Sequence, residues 1–156
     1  MKTKERVAFQ GERGAYSEEA ILSFFKSDVL VSPHPTLFDT FEAVQKKNVD
    51  FAVVPVENSL EGSVNETYDL LLSTDLKVQG ELKLRIQHSL IARPEIKISK
   101  IRTVYSHPQA LAQCRKYLRN LGVTLVATYD TAGSVKIIRE KKSNGIASIA
   151  SIRAAS

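Results

Sequence analysis

Short apolar runs alternate with segments of helical period along the whole chain. Arg6 to Phe9 reads as a strand. Ser17 is placed to cap a helix with Ala20, Ile21, Phe24 and Phe25 on one face. Val29 to Val31 reads as a second strand, closed by Pro33 and Pro35. Thr36 then caps a helix with Leu37, Phe41 and Val44 inward. The sharpest feature is FAVVPVENSLEGSV, Phe51 to Val64. Its apolar run stops at Glu57, Asn58 and Ser59, and Gly62 and Ser63 lead into a helix marked by Val64, Tyr68, Leu71 and Leu72. In open α/β sheets, ligands bind where strands end in such turns.

The stretch from Lys77 to Ala92 is different. Leu82, Leu84 and Ile86 alternate with polar residues, which predicts extended chain rather than helix. After Pro94 the strand–helix pattern resumes. Strands are expected at Thr103–Tyr105, Thr124–Thr128 and Ile146–Ile149. Helices are expected at His107–Leu121, stopped by Gly122, and at Thr131–Lys142, with another beginning near Ser151–Ser156. The pattern predicts an α/β protein with mostly parallel sheets. Residues 1–78 form a first lobe, 79–92 an extended connection and 93–156 a second lobe, with a cleft expected between the lobes.

Composition narrows the function. The chain has 156 residues, 43% hydrophobic and 25% charged, an ordinary globular balance. One cysteine excludes an internal disulfide and suits a reducing cytoplasm. Neither a membrane span nor a signal-peptide apolar region is evident. The net charge of +5 suits a small anionic ligand better than nucleic acid, because the basic residues lack interleaved aromatics. The densest basic run, Lys136, Arg139, Lys141 and Lys142, falls late in a helix, where cations complement the macrodipole.

Four strand-to-helix junctions are polar: QGERGAYS at 10–17, ENSLEGS at 57–63, SHPQ at 106–109 and DTAGS at 130–134. Free N–H groups at helix starts attract anions, although each junction taken singly also fits an ordinary cap. Two readings fit Asn58 and Ser59: they grip a ligand or they hold the turn. Glu57 either exchanges a proton with substrate or stabilises the turn. Gln109 and Gln113 share a helix face behind Ser106, which points Gln113 either into a cleft or to solvent. His107 is a cap or a ligand contact. Cys114 lies on the apolar stripe and reads as core. His34, His88 and His107 are too scattered for a metal site, so no metal is expected. Without a Walker, Rossmann or GxSxG motif, no nucleotide cofactor or nucleophilic serine is expected.

Several motifs in order resemble the prephenate dehydratase family. They are VAFQGERGAYSEEA at 7–20, VVPVENSLEGSV at 53–64, TYDLLL at 67–72, SHPQALAQC at 106–114, DTAGSVK at 130–136 and IASIASIRAA at 146–155. The resemblance implies a two-lobed, type II periplasmic-binding-protein-like fold with the active site between the lobes. It implies conversion of prephenate to phenylpyruvate in phenylalanine biosynthesis, with loss of carbon dioxide and water and with no cofactor. Its catalytic residues fall at Thr131, Glu57 and Asn58. Its substrate contacts fall at Ser59, Ser106, His107, Gln109, Gln113, Asp130, Ala132 and Gly133.

The sequence departs from the family at one point. Family members continue past the IASIRAA-like segment to a Thr-Arg-Phe motif whose Thr is a candidate catalytic hydroxyl, and these 156 residues contain no such triplet. Within these 156 residues, neither a segment resembling the regulatory ACT domain nor one resembling a chorismate mutase domain is expected. A truncated first lobe is the simplest explanation. The chain alone is therefore expected to show little activity, and exposed first-lobe apolar surface is expected to favour self-association. Arogenate dehydratase, and a non-catalytic small-carboxylate binding domain, are the alternative readings.

Overall fold

The computed structural model describes residues 4–26, 28–141 and 143–155. Lys142 of the basic run and Ser156 of the last helix therefore lie outside the described residues. The chain is α/β with mostly parallel sheets and divides into two compact units. One holds the residues up to Gly11 together with Tyr16–Leu84. The other holds Glu12–Ala15 together with the residues from Arg85 on.

The first unit is built on three parallel strands in the order β2-β1-β3. They are β1 (Glu5–Gln10), β2 (Val29–His34) and β3 (Phe51–Val53). Val7, Ala8 and Phe9 of the central strand are fully buried. Burying a side chain such as Phe9 contributes about 1.5–3 kcal/mol. Helix α1 (Tyr16–Phe24) buries Ala20 and Ile21 but leaves Phe24 exposed. Ser17 therefore lies in its first turn and is not its cap. Helix α2 (Leu37–Gln45) starts where expected, with the Thr36 hydroxyl accepting from the Asp39 N–H at 3.0 Å. Leu37 and Phe41 are buried.

Two predicted boundaries shift at prolines. Strand β2 runs on through Pro33, which is paired with Phe9. It is an edge strand, where a missing N–H costs no ladder bond. Strand β3 stops at Val53 instead of Val56, ahead of Pro55, which has no N–H to give a ladder. Glu57–Asn58 (β4) and Gly62–Ser63 (β5) then pair antiparallel as a small hairpin. Helix α3 (Asn65–Ser73) begins only after it, with no side-chain cap at Val64. The ENSLEGS stretch is thus a hairpin and not a helix start. The buried Thr67 hydroxyl donates to the Pro55 carbonyl at 2.7 Å and ties α3 to this segment. Of the stretch from Lys77 to Ala92, expected to be extended, residues 77–88 carry neither helix nor regular strand, and Ser89–Ile91 form a strand.

The second unit has four strands in the order β6-β9-β7-β8. They are β6 (Ser89–Ile91), β7 (Thr103–Ser106), β8 (Thr124–Ala127) and β9 (Ile146–Ala150). Only β6 is antiparallel. Every residue of β9 is buried, and its alternate side chains serve opposite faces. Ile146 and Ala150 join Ala132, Val135 and Ile138 of α6 (Thr131–Glu140). Ala147 and Ile149 join Ala110, Leu111 and Leu118.

The single helix expected over His107–Leu121 is two, α4 (Pro108–Gln113) and α5 (Arg115–Leu121). They meet at Cys114, whose backbone (φ −92°, ψ 5°) leaves the helical region. Cys114 is half-buried beside Leu111 and Leu118, and burial pushes its thiol pKa up. A short 3-10 turn, Ile152–Ala155, follows β9 where a helix was expected to begin.

The loop at Glu12–Ala15 belongs to this second unit. Gly14 (φ +87°) accepts a 2.6 Å bond at its carbonyl from the buried Ser151 hydroxyl. A Cβ built on Gly14 would lie 2.6 Å from the Ala154 Cα, so only glycine permits this approach. QGERGAYS, expected to be an anion-binding helix start, is thus partly a packing element. Among the described residues, no helix is long and apolar enough to cross a membrane.

Candidate functional site

Strands β7 and β8 of the second unit end together, with Ser106 in register with Ala127. The polar junctions SHPQ and DTAGS follow directly, at the carboxyl ends of parallel strands where α/β folds place ligands. Asp130 is the cap of α6, its carboxylate accepting a short bond from the Gly133 N–H. The Thr128 hydroxyl donates to the Asp130 carbonyl at 2.9 Å and fixes the approach to the cap. Thr131 opens α6 and is half-buried. The Ser134 hydroxyl donates to the Thr131 carbonyl at 2.5 Å and also bonds the Ser148 hydroxyl. Ala132 and Gly133 are buried behind it. The start of α6 is therefore rigidly held, with the positive end of its dipole at Thr131.

The electrostatics of this corner centre on Asp130. Burial raises its pKa, and nearby Glu12 adds to the effect; the Gly133 N–H and His107 pull the other way. Tyr129 lies against Gly133 and donates from its hydroxyl to a Glu12 carboxylate oxygen at 3.3 Å. Tyr129 is 64% exposed, yet its hydroxyl lies against Gly133 and is partly desolvated there. That desolvation, with Asp130 and Glu12 beside it, pushes the phenol up to about 12. Neither Tyr129 nor Glu12 was singled out as a candidate, since 117 residues separate them and no local pattern pairs them.

Ser106 is fully buried, and its hydroxyl donates to the Ile149 carbonyl at 2.5 Å. Its proton is thus engaged inside the unit. His107 caps α4, its Nδ1 accepting from the Gln109 N–H at 3.3 Å. Gln109 is exposed and Gln113 half-buried. Gln113 lies 2.8 Å, amide oxygen to Nε2, from His88. His88, set aside in the sequence as a scattered histidine, is thus a neighbour of a candidate contact. Only tertiary structure reveals that pairing, across 25 residues.

Glu57, Asn58 and Ser59 lie in the first unit. Glu57 is exposed in β4, and Ser59 is exposed at the hairpin turn. The Asn58 side chain accepts from the Leu60 N–H at 2.9 Å, and the Asn58 carbonyl accepts from the Glu61 N–H at 3.2 Å. Asn58 thus holds the turn, whatever else its amide does. Among the described residues, no three His, Cys, Asp or Glu side chains gather as a metal site.

The second unit is a mostly parallel α/β unit whose strand ends carry hydroxyls and the start of a helix. The chain belongs to the prephenate dehydratase family, whose model matches residues 7–156. It is 47% identical over 154 residues to arogenate dehydratase/prephenate dehydratase 2, chloroplastic, of Arabidopsis thaliana, covering 98% of this chain and 40% of that protein. The solved prephenate dehydratase of Arthrobacter aurescens, in complex with L-Phe, superposes with a TM-score of 0.88 at 28% identity, covering 96% of this chain and 51% of that one. A protein described as a novel type of quorum quenching acylase superposes equally well, at TM-score 0.88 and 33% identity, over 96% of this chain and 55% of that one. The chain thus spans about 40–55% of the length of these three proteins.

Proposed function

We propose that this chain is the dehydratase portion of an enzyme that converts prephenate to phenylpyruvate, in the cytoplasm, as a step of phenylalanine biosynthesis. The observation that carries the proposal is the strand-end corner of the second unit, where the two motifs SHPQ and DTAGS converge on the start of α6. Prephenate is a dianion. The dipole of α6 and the hydroxyl of Thr131 suit its carboxylates, and the Gln113 amide adds donors. The reaction breaks the carbon–carbon bond to one carboxylate, releasing carbon dioxide, while the ring hydroxyl leaves with a proton as water. Aromatisation drives it, so the protein has chiefly to orient the substrate and deliver a proton.

Within this proposal Thr131 acts at the leaving hydroxyl, and Asp130 and Gly133 hold Thr131 in place. His107, Gln109 and Ala132 complete the corner. Ser106 supports it from beneath through Ile149. In the first unit, Glu57 and Asn58, with Ser59 beside them, are candidates for a part in the reaction. The mostly parallel α/β sheets suit a fold of the type II periplasmic-binding-protein kind. The exposed apolar side chains of the first unit, among them Leu60 and Leu72, favour a homo-oligomer, which light scattering tests.

The name of the Arabidopsis relative carries both substrates, so arogenate is the second reading. Fold alone does not fix the reaction, as the acylase neighbour illustrates. The test is calorimetry of the chain with prephenate, arogenate and phenylpyruvate, beside turnover assays in a full-length version. Saturable prephenate binding that Thr131→Ala weakens is expected. Absence of both binding and turnover with either acid sinks the proposal, and turnover of arogenate alone moves it to the second reading. Binding with no turnover in the full-length version leaves a small-carboxylate binding domain.

A further inference from the structure

Histidine 88 precedes β6, the antiparallel edge strand of the second unit, and Gln113 is the last residue of α4. Both side chains are half-buried, and the ring Nε2 lies 2.8 Å from the amide Oε1. An amide oxygen only accepts, so the ring nitrogen facing it must carry the proton. The amide is then held by its oxygen, and its NH2 group, with two donors, is turned away from the ring. A free glutamine offers either end of its amide to a ligand. A glutamine held this way presents its two donors on the side away from the ring.

We propose that His88 is a positioning residue: it locks Gln113 so that the amide NH2 faces an anionic oxygen of the substrate. The proposal rests on the dehydratase reading for the identity of that substrate. The chemistry favoured at this place is a carboxylate or carbonyl oxygen. A donor group placed against the NH2 side meets no acceptor until the amide turns over.

The test has a part independent of activity. A long-range 1H–15N correlation on the chain reports which nitrogen of His88 carries the proton. Protonation at Nε2 is expected, and a bare Nε2 overturns the proposal. Two variants then separate positioning from packing. His88→Phe keeps the ring volume and removes the donor. His88→Gln places an NH2 donor close to where Nε2 stood.

In a full-length version, His88→Phe is expected to lower kcat/KM for prephenate about tenfold, the loss typical of one hydrogen-bond restraint. Most of the change should appear in KM, with the melting temperature held. His88→Gln should recover most of it. The effect of His88→Phe should vanish when Gln113 is already alanine. An undiminished effect in that background, or kinetics unchanged in His88→Phe, overturns the proposal. If the wild type turns over neither prephenate nor arogenate, the dehydratase reading fails. The ring-nitrogen measurement still decides whether His88 orients Gln113.

Discussion

Replacing Gly14 by alanine should cost far more than its position in a loop suggests. Gly14 sits at φ +87°, where an L side chain costs about 1–2 kcal/mol. The added methyl would also meet the Ala154 Cα at 2.6 Å. That neighbour is backbone, so relief requires the 152–155 turn to shift, and such overpacking costs about 1–3 kcal/mol. The two contributions together give roughly 2–5 kcal/mol. A chain of this size loses roughly 2–4 °C of melting temperature per kcal/mol, so a drop of about 4–20 °C is expected. Gly62 provides the internal control. It has a similar φ of +82° with nothing within 4 Å of its would-be Cβ, so Gly62→Ala should show the backbone cost of about 1–2 kcal/mol alone. Thermal melts by circular dichroism, with hydrogen exchange at the Ala154 amide, make the measurement. Equal melting temperatures for the two variants refute the packing argument.

Ser151→Ala removes the donor to the Gly14 carbonyl and the acceptor of the Ala154 N–H; urea melts should show a loss of about 1–3 kcal/mol. Combined with Gly14→Ala the loss should fall short of the sum, since both act on one contact. Asp130 should distinguish cap from charge: Asp130→Ala is expected to cost about 1 kcal/mol, and Asp130→Asn to retain the cap. Because burial raises the folded-state pKa of Asp130 above its ordinary value of 3.8, its contribution to stability is greatest below that value and is lost as pH rises through the folded pKa. The stability of Asp130→Asn relative to wild type should accordingly rise over that window, and a flat difference in pH-dependent melts contradicts it. Thr67→Val should destabilise by about 1–3 kcal/mol by orphaning the Pro55 carbonyl, with Asp69→Ala on the exposed side of α3 as the neutral comparison in the same urea titration.

The alternation of strands and helices was legible because local periodicity records which residues face a core. The Thr36 cap and the stop at Gly122 were legible because their chemistry is confined to a few neighbouring residues. The break at Cys114 was not, since Leu111, Cys114 and Leu118 keep helical spacing across it. The hairpin at 57–63 was masked by its caps-like composition: Asn58 and Ser59 suit a turn as well as a helix start, and two-residue strands have no period to read. Of the candidate site, SHPQ and DTAGS stood out as polar junctions between strand and helix, and their proposed roles came from the family resemblance. What escaped was every pairing distant in sequence, such as His88 with Gln113 and Tyr129 with Glu12, because no local pattern encodes a tertiary partner.

The bond from Ser151 to Gly14 joins residues 137 apart. During synthesis at about 5–20 residues per second, the Gly14 loop must wait roughly 7 to 27 seconds before its partner leaves the ribosome. The second unit therefore cannot be made complete by translating it alone. A gene fragment beginning at residue 85 would omit Glu12–Ala15, which is encoded upstream of the rest of that unit. Supplying a short peptide spanning those residues in trans is the natural complement for such a fragment.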